Sequence, residues 1–216
     1  MYNTGGIEIM KWEAVFFDFD GVICDSVNIK AEAFAELYRP YGTDVEKKVV
    51  AYHMANGGIS RFEKFQFWHR EYLAKDISEN QLEELSSRFS ELVLKKIMEA
   101  PYIDGAIETL RILKNNNIPS YIVSGTPDDE IRYIIREKRL DEYFCEIHGS
   151  PRKKNDIVKN ILAREMYNAD RCIFIGDAMS DYHAAKLNSI HFLGIVTKED
   201  KPIFPVGTSL SKSVRI

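Results

Sequence analysis

Hydrophobic positions cluster first in a continuous run, Val15-Phe16-Phe17, which breaks abruptly into Asp18-Phe19-Asp20-Gly21. A short apolar run that ends in turn-forming residues predicts a buried strand. Side chains alternate along an extended chain, so Asp18 and Asp20 point one way while Phe17 and Phe19 point the other. Two acids sharing a small space raise each other's pKa unless a cation lies between them, so the pair implies either a shared proton or a bound metal.

Beyond Gly21 the spacing becomes helical. Ser26 can cap a helix whose apolar side carries Ile29, Ala33, Phe34 and Leu37, and Pro40-Tyr41-Gly42 ends it. A second helix is expected over Val45 to Met54, followed by a break at Gly57-Gly58. Phe62, Phe65, Trp68 and Tyr72 then recur at three- and four-residue spacing and read as a helix face in a local core. Ser78-Glu79-Asn80-Gln81 fits a capping box for a helix with Leu82, Leu85, Phe89 and Leu92 inward, stopping before Pro101.

From Pro101 onward helices and strands alternate. Helices are expected at Gly105 to Asn116, Pro127 to Lys138 with Thr126 as cap, Asp156 to Tyr167 and Asp181 to Leu187. Strands are expected at Ile118 to Ser124, Phe144 to His148, Cys172 to Gly176 and Ile190 to Val196. This alternation predicts an α/β fold, a doubly wound parallel sheet of Rossmann-like type covered on both faces. Residues 1–24 and 102–216 form its core, and residues 25–101 form a smaller all-helical cap domain inserted after the first strand. Residues 1–9 are expected to be a mobile extension, and Lys198 to Ile216 irregular packing followed by a mobile end.

Composition narrows the partners. With 45% apolar and 29% charged residues the 216-residue chain is an ordinary globular one. A net charge of −4 gives no footprint for nucleic acid or an anionic membrane. No segment has the length and apolarity of a spanning helix or the layout of a signal peptide, so a cytoplasmic protein is expected. Cys24, Cys145 and Cys172 are few, odd in number and set in apolar segments, which suits reduced thiols.

Reactive groups in an open parallel sheet lie beyond the carboxyl ends of the strands. Those ends here carry Asp18 and Asp20, then Ser124-Gly125-Thr126, then Gly149-Ser150-Pro151-Arg152-Lys153-Lys154, and then Gly176-Asp177 with Asp181 four residues on. Such a set suits phosphoryl transfer, in which positioning and charge neutralisation dominate. A carboxylate oxygen can attack phosphorus, while a hydroxyl, backbone N–H groups at Ser124-Gly125 and a lysine can hold the phosphate oxygens. Oxygen-only acidic ligands favour Mg2+ over Zn2+.

With Asp18-Phe19-Asp20-Gly21, Ser124-Gly125-Thr126, Lys153-Lys154 and Gly176-Asp177-Ala178-Met179-Ser180-Asp181 in this order, nearly the whole chain resembles the haloacid dehalogenase superfamily of phosphohydrolases. The resemblance is to the subgroup with a helical cap after the first motif, like phosphoglycolate phosphatases and β-phosphoglucomutases. It implies Asp18 as the nucleophile that forms an aspartyl-phosphate, and Asp20 as the acid and base. It further implies Mg2+ held by the Asp18 carboxylate, the Asp20 backbone carbonyl and Asp177, with Asp181 supporting the site from behind the ligands. Ser124 and Gly125 would bind phosphate.

Lys154 fits the family's spacing better than Lys153, which would be a solvated charge at a helix start. Gly57 to Arg61 is the stretch of the cap expected to face the core, with Arg61 as the candidate substrate contact or, failing that, a solvent-facing charge. Lys64, His53 and His69 read as surface or packing residues. The expected function is Mg2+-dependent hydrolysis of a small phosphomonoester, a sugar phosphate or phosphoglycolate-like metabolite. The alternatives are a sugar-phosphate mutase and a phosphorylated receiver-type signalling module. Cleavage of a phosphonate would need a cap lysine able to form a Schiff base, for which Lys64 is a poor candidate unless it is buried.

Overall fold

The apolar run near the start of the sequence becomes the centre of a sheet. The computed structural model of the chain describes residues 12–196 and 203–216. β1 (Ala14–Phe17) is fully buried and pairs in parallel with β2 (Ser120–Pro127) on one side and β4 (Cys172–Gly176) on the other. β3 (Glu146–Ser150) lies outside β2. β5 (His191–Ile195) and β6 (Leu210–Ser211) lie outside β4, which gives the order β3-β2-β1-β4-β5-β6 with every pairing parallel. The chain leaves β1 for β2 on one side and later returns to β4 on the other, so the strand order reverses at β1. Ligand crevices form at such a point.

Alternation along β1 separates two apolar layers. Val15 and Phe17 pack with α5 (Ala106–Asn115) and α6 (Asp128–Glu137), whereas Ala14 and Phe16 pack with α7 (Lys154–Glu165) and α8 (Met179–Leu187). The sheet is thus doubly wound. The first layer continues without a break into the helices between β1 and β2.

Those helices are α1 (Val27–Tyr38), α2 (Thr43–Ala55), α3 (Arg61–Leu73) and α4 (Glu79–Glu99). The aromatic stripe of α3 is core, as its spacing implies: Phe65 and Trp68 are fully buried, and Phe34 of α1 meets Phe65, Trp68 and Phe89 at ring distances of 5.8, 4.9 and 4.2 Å. The capping box at Ser78 forms, with the Ser78 N–H donating to Gln81 Oε1 at 2.9 Å. The chain enters and leaves this block through adjacent segments, since the Asp25 N–H donates to the Pro101 carbonyl at 3.0 Å and the Ile103 N–H to the Ile23 carbonyl at 3.1 Å.

Several boundaries move, with consequences for the site. β2 runs on to Pro127 through a register shift after Val123, so Pro127 precedes α6 instead of opening it. α7 begins at Lys154 and α8 at Met179, earlier than their apolar periodicity indicates, because their first turns are polar. Ser26 stands before α1 but makes no capping bond; its hydroxyl turns to Asp20 instead.

The tail expected to be mobile is instead docked where it is described. Val214 is fully buried, its N–H donates to the Asp104 carbonyl at 2.8 Å, and Arg215 pairs with Asp104 at 2.7 Å. The expected extension at residues 1–9 and the first part of the tail, residues 198–202, lie outside the described residues. Among the described residues no helix is long and apolar enough to cross a membrane.

Candidate active site

Asp18 follows the last residue of β1, at the carboxyl edge where the strand order reverses. Its N–H donates to the Ile175 carbonyl of β4 at 3.0 Å, and Oδ1 accepts from the Phe19 N–H at 2.7 Å. Oδ2 lies 2.8 Å from Lys154 Nζ, which also reaches Asp181 Oδ1 at 2.7 Å. All three side chains are almost completely buried. Lys154 sits in the first turn of α7, whereas Lys153 is exposed. Asp181 uses its second oxygen to accept the Ala178 N–H at 3.1 Å, so α8 holds it rigidly behind the lysine.

Asp18, Asp177 and Asp181 place carboxylate oxygens within 4.8 Å of one another. Burial, opposed by Lys154 and reinforced by Asp181 and Asp20, pushes the Asp18 carboxyl up to about 7. Burial and Asp18 push Asp177 well above the carboxylate range too. Three acids with one ammonium among them are short of positive charge, and their donors are all oxygens, so the cluster fits a hard divalent cation. Gly21 makes room for it: its φ is +76°, and a Cβ there would stand 2.1 Å from Asp177 Oδ2.

Asp20 lies in a different setting. Its carboxylate accepts from Ser26 Oγ at 2.6 Å and Thr126 Oγ1 at 3.2 Å, and pairs with Lys30 Nζ at 2.5 Å. Burial pushes its pKa up, but Lys30 and the two hydroxyls more than offset that and hold it below the usual value. Lys30 also donates to Thr126 Oγ1 at 2.7 Å. The sequence pattern gives Lys30 no role in the site and marks Thr126 only as part of the Ser124-Gly125-Thr126 motif and as a helix cap. One signal was present: Ser26 and Lys30 are four residues apart at the start of a helix and share a face.

The Ser124 hydroxyl is buried and accepts the Thr126 N–H at 3.1 Å. Ser124, Gly125 and Lys154 line one depression, while Asp18, Asp20, Asp177 and again Gly125 line a neighbouring cleft. Gly58 and Ile59 border both. A Cβ on Gly125 would stand 2.5 Å from the Gly58 carbonyl, and Ser180 Oγ donates to the Gly57 carbonyl at 3.2 Å. The Gly57-Gly58 loop therefore rests directly on the sheet edge.

Arg61 is neither a free cation for a ligand nor a solvent-facing charge. It is buried, its guanidinium pairs with Glu130 in the first turn of α6, it donates to Ser90 Oγ at 2.7 Å, and it lies over the Phe89 ring. Glu130, remote in sequence, neutralises it and ties α3 to the sheet layer. Arg61→Ala is expected to cost about 3 kcal/mol in a urea titration, because Glu130 is left buried and unpaired. Adding Glu130→Gln to that variant should restore a substantial part of the loss. Equal costs that simply add would show the pair to be uncoupled.

The expected surface or packing role holds for His69, which is buried and whose Nδ1 meets Tyr38 Oη and the Phe65 carbonyl at 3.0 Å. Lys64 and His53 are buried too, and in addition they line the cleft, 2.9 Å apart between Nζ and Nδ1. Both lie on helices whose patterns are polar enough to have concealed this. Cys24 and Cys172 are buried and their thiols are pushed up to about 11 by desolvation, while Cys145 is exposed. Neither buried thiol is a nucleophile at neutral pH.

A family model described as haloacid dehalogenase-like hydrolase matches residues 15–195. A phosphorylated carbohydrates phosphatase of Thermotoga maritima is 26% identical, over 81% of this chain and 80% of its own length. A phosphoglycolate phosphatase of Pseudomonas aeruginosa is 25% identical over 80% of this chain, which spans only 65% of that protein. The solved β-phosphoglucomutase of Clostridium difficile superposes with a TM-score of 0.75 at 22% identity, covering 94% of this chain and 92% of the other.

Proposed function

The chain belongs to the haloacid dehalogenase-like hydrolases and is a phosphatase, and on that premise we propose that it hydrolyses small phosphomonoesters through a phosphorylated Asp18. The observation that carries this reading is the buried Asp18–Lys154–Asp181 chain at the sheet's carboxyl edge, with Asp177 alongside. One oxygen of Asp18 is held by a backbone N–H and the other by Lys154, which fixes the carboxylate for in-line attack on phosphorus.

Ser124 Oγ, the Gly125 N–H and Lys154 are the groups that would take the non-bridging oxygens. Asp18 and Asp177, with the Asp20 carbonyl, would hold Mg2+, and Asp181 would keep Lys154 in register behind them. Bound there, Mg2+ supplies Lewis-acid neutralisation of phosphate charge.

Asp20 would give a proton to the departing alkoxide and later take one from the water that attacks the phosphorylated aspartate. Tied to Lys30, it is ready for the second task and wrongly charged for the first. Entry of a phosphorylated ligand that draws Lys30 to its own oxygens would let Asp20 accept a proton. Lys30 rides on α1 and Gly57-Gly58 on the α2–α3 loop, so residues 25–101 would act as a lid whose docking couples substrate entry to the charge of Asp20.

The test is phosphate release from a panel of sugar phosphates, 2-phosphoglycolate and p-nitrophenyl phosphate. Release should vanish with EDTA and return with Mg2+. Mg2+ should also raise Tm, by an amount equivalent to about 2.7 kcal/mol at one hundred times its Kd, and Asp177→Asn should abolish most of that rise. Release that survives exhaustive chelation, or an unchanged Tm, would contradict the metal assignment. Isomerised sugar phosphate in place of free phosphate would point to a mutase.

A further inference from the structure

Lys30, Arg61 and Lys64 line the cleft and Lys154 borders the depression beside it, and three of these four cations are already matched by carboxylates. Lys30 pairs with Asp20, Arg61 with Glu130, and Lys154 with Asp18 and Asp181. Lys64 is only 2% exposed, and among the described residues it forms no ion pair. Its Nζ meets His53 Nδ1 at 2.9 Å and lies 5.7 Å above the Phe34 ring. His53 Nε2 faces the Val27 carbonyl at 3.4 Å, so that nitrogen carries the ring proton and Nδ1 accepts from Lys64. Burial, with Lys64 and Lys30 adding to it, pulls His53 down to about 3, so it brings no charge of its own.

A buried ammonium with one neutral partner is costly unless something else completes it. The cost is visible in the amine itself: burial first, then Lys30, pulls Lys64 down to about 7. Among the described residues two of its three hydrogens meet no protein acceptor, and the side chain borders the cleft that contains Asp18. Val27, Phe34 and Ile59 give the same cleft apolar lining. A ligand whose phosphorus sits at Asp18 shares this cleft with Lys64, so its leaving group is within the space the amine borders.

Resting on the phosphatase reading above, we infer that Lys64 is a specificity-determining residue that selects substrates whose leaving group carries a second anionic group, a carboxylate or a further phosphate. The anion would accept from Nζ, with His53 holding the amine in place from the opposite side. Of the three described cations that line the cleft, Lys64 alone is left without a carboxylate, which is why the assignment falls on it and not on Arg61.

The deciding measurement compares substrates that differ only in that anion. For a carboxylate the pair is 2-phosphoglycolate and ethyl phosphate; for a second phosphate it is a hexose bisphosphate and the matching monophosphate. The wild type should prefer the doubly anionic member of at least one pair, and which pair identifies the anion. Lys64→Met should shrink that preference about 30-fold, mainly through KM, as expected for loss of a charge-assisted hydrogen bond. Lys64→Arg should recover part of it.

Thermal shifts by phosphonoacetate against propylphosphonate in both proteins report the same contact without turnover, so they test Lys64 even if the panel shows no hydrolysis, which would sink the phosphatase reading alone. No preference in the wild type, or equal losses on both members of a pair, would overturn the assignment. So would a borohydride-trapped adduct between Lys64 and a phosphonoaldehyde, which would make the amine a nucleophile.

Discussion

Asp18→Asn is expected to lower Mg2+-dependent phosphate release at least about 10⁴-fold, equivalent to ~5 kcal/mol of transition-state stabilisation. An amide has no anionic oxygen to attack phosphorus, yet it keeps the size of the carboxylate, its one oxygen can still accept from the Phe19 N–H, and Lys154 keeps its pairing with Asp181. The fold should not suffer. The folded-state pKa of Asp18 lies near 7, above its value in an unfolded chain, so the native state binds the extra proton and stability falls as pH rises toward 7. Replacing the acid with a neutral amide removes that loss, so without metal the variant should match or exceed the wild type in Tm at pH 8. Normal release from a folded Asp18→Asn protein would remove Asp18 from the mechanism.

Lys154→Met has the opposite balance, since both function and stability should fail. The ammonium bridges Asp18 and Asp181 at 2.8 and 2.7 Å, and all three groups are buried. Deleting it leaves two adjacent buried carboxylates unpaired, a loss of about 3–5 kcal/mol by analogy with broken buried pairs. Urea midpoints at neutral pH should fall accordingly. Combining Lys154→Met with Asp181→Asn should recover stability while turnover stays low, because the amide no longer repels Asp18 but nothing replaces the cation beside the phosphate. A stable, active Lys154→Met protein would mean that Lys153 or a cap cation can substitute.

The residues that sequence made legible share one property: each stands at the end of an apolar run or in a glycine-marked turn. Asp18, Asp20, Asp177 and Asp181 could be placed on one edge because alternating strands and helices fix where strand ends go. Spacing favours Lys154 over Lys153, and the structure gives Lys154, not Lys153, the buried contacts. What was hidden depends on partners remote in sequence. Lys30 meets Thr126, and Arg61 meets Glu130, across the whole helical block. A lysine or arginine on an amphipathic helix looks the same in sequence whether it faces water or a buried acid. Helix starts at Lys154 and Met179 were missed for a related reason: their first turns carry functional polar groups, so apolar periodicity begins one turn late.

The paired crossings between sheet and helical block also bear on how the chain finds its fold. β1 and β2 are neighbours, yet Val15 and its partner Ser120 are separated by about a hundred residues. Closing so long a loop directly is slow, because entropy is lost before any contact repays it. The hydrogen bonds at Asp25–Pro101 and Ile23–Ile103 short-circuit it. Once α1 to α4 have collapsed around Phe34, the ends of the block are pinned together, and the loop left to close is roughly a quarter as long. At ~0.6 kcal/mol per doubling that is worth about 1.2 kcal/mol on the way to the first strand pairing. The insertion that covers the site is thus also a kinetic shortcut, assembled from local contacts before the strand pair beneath it can form.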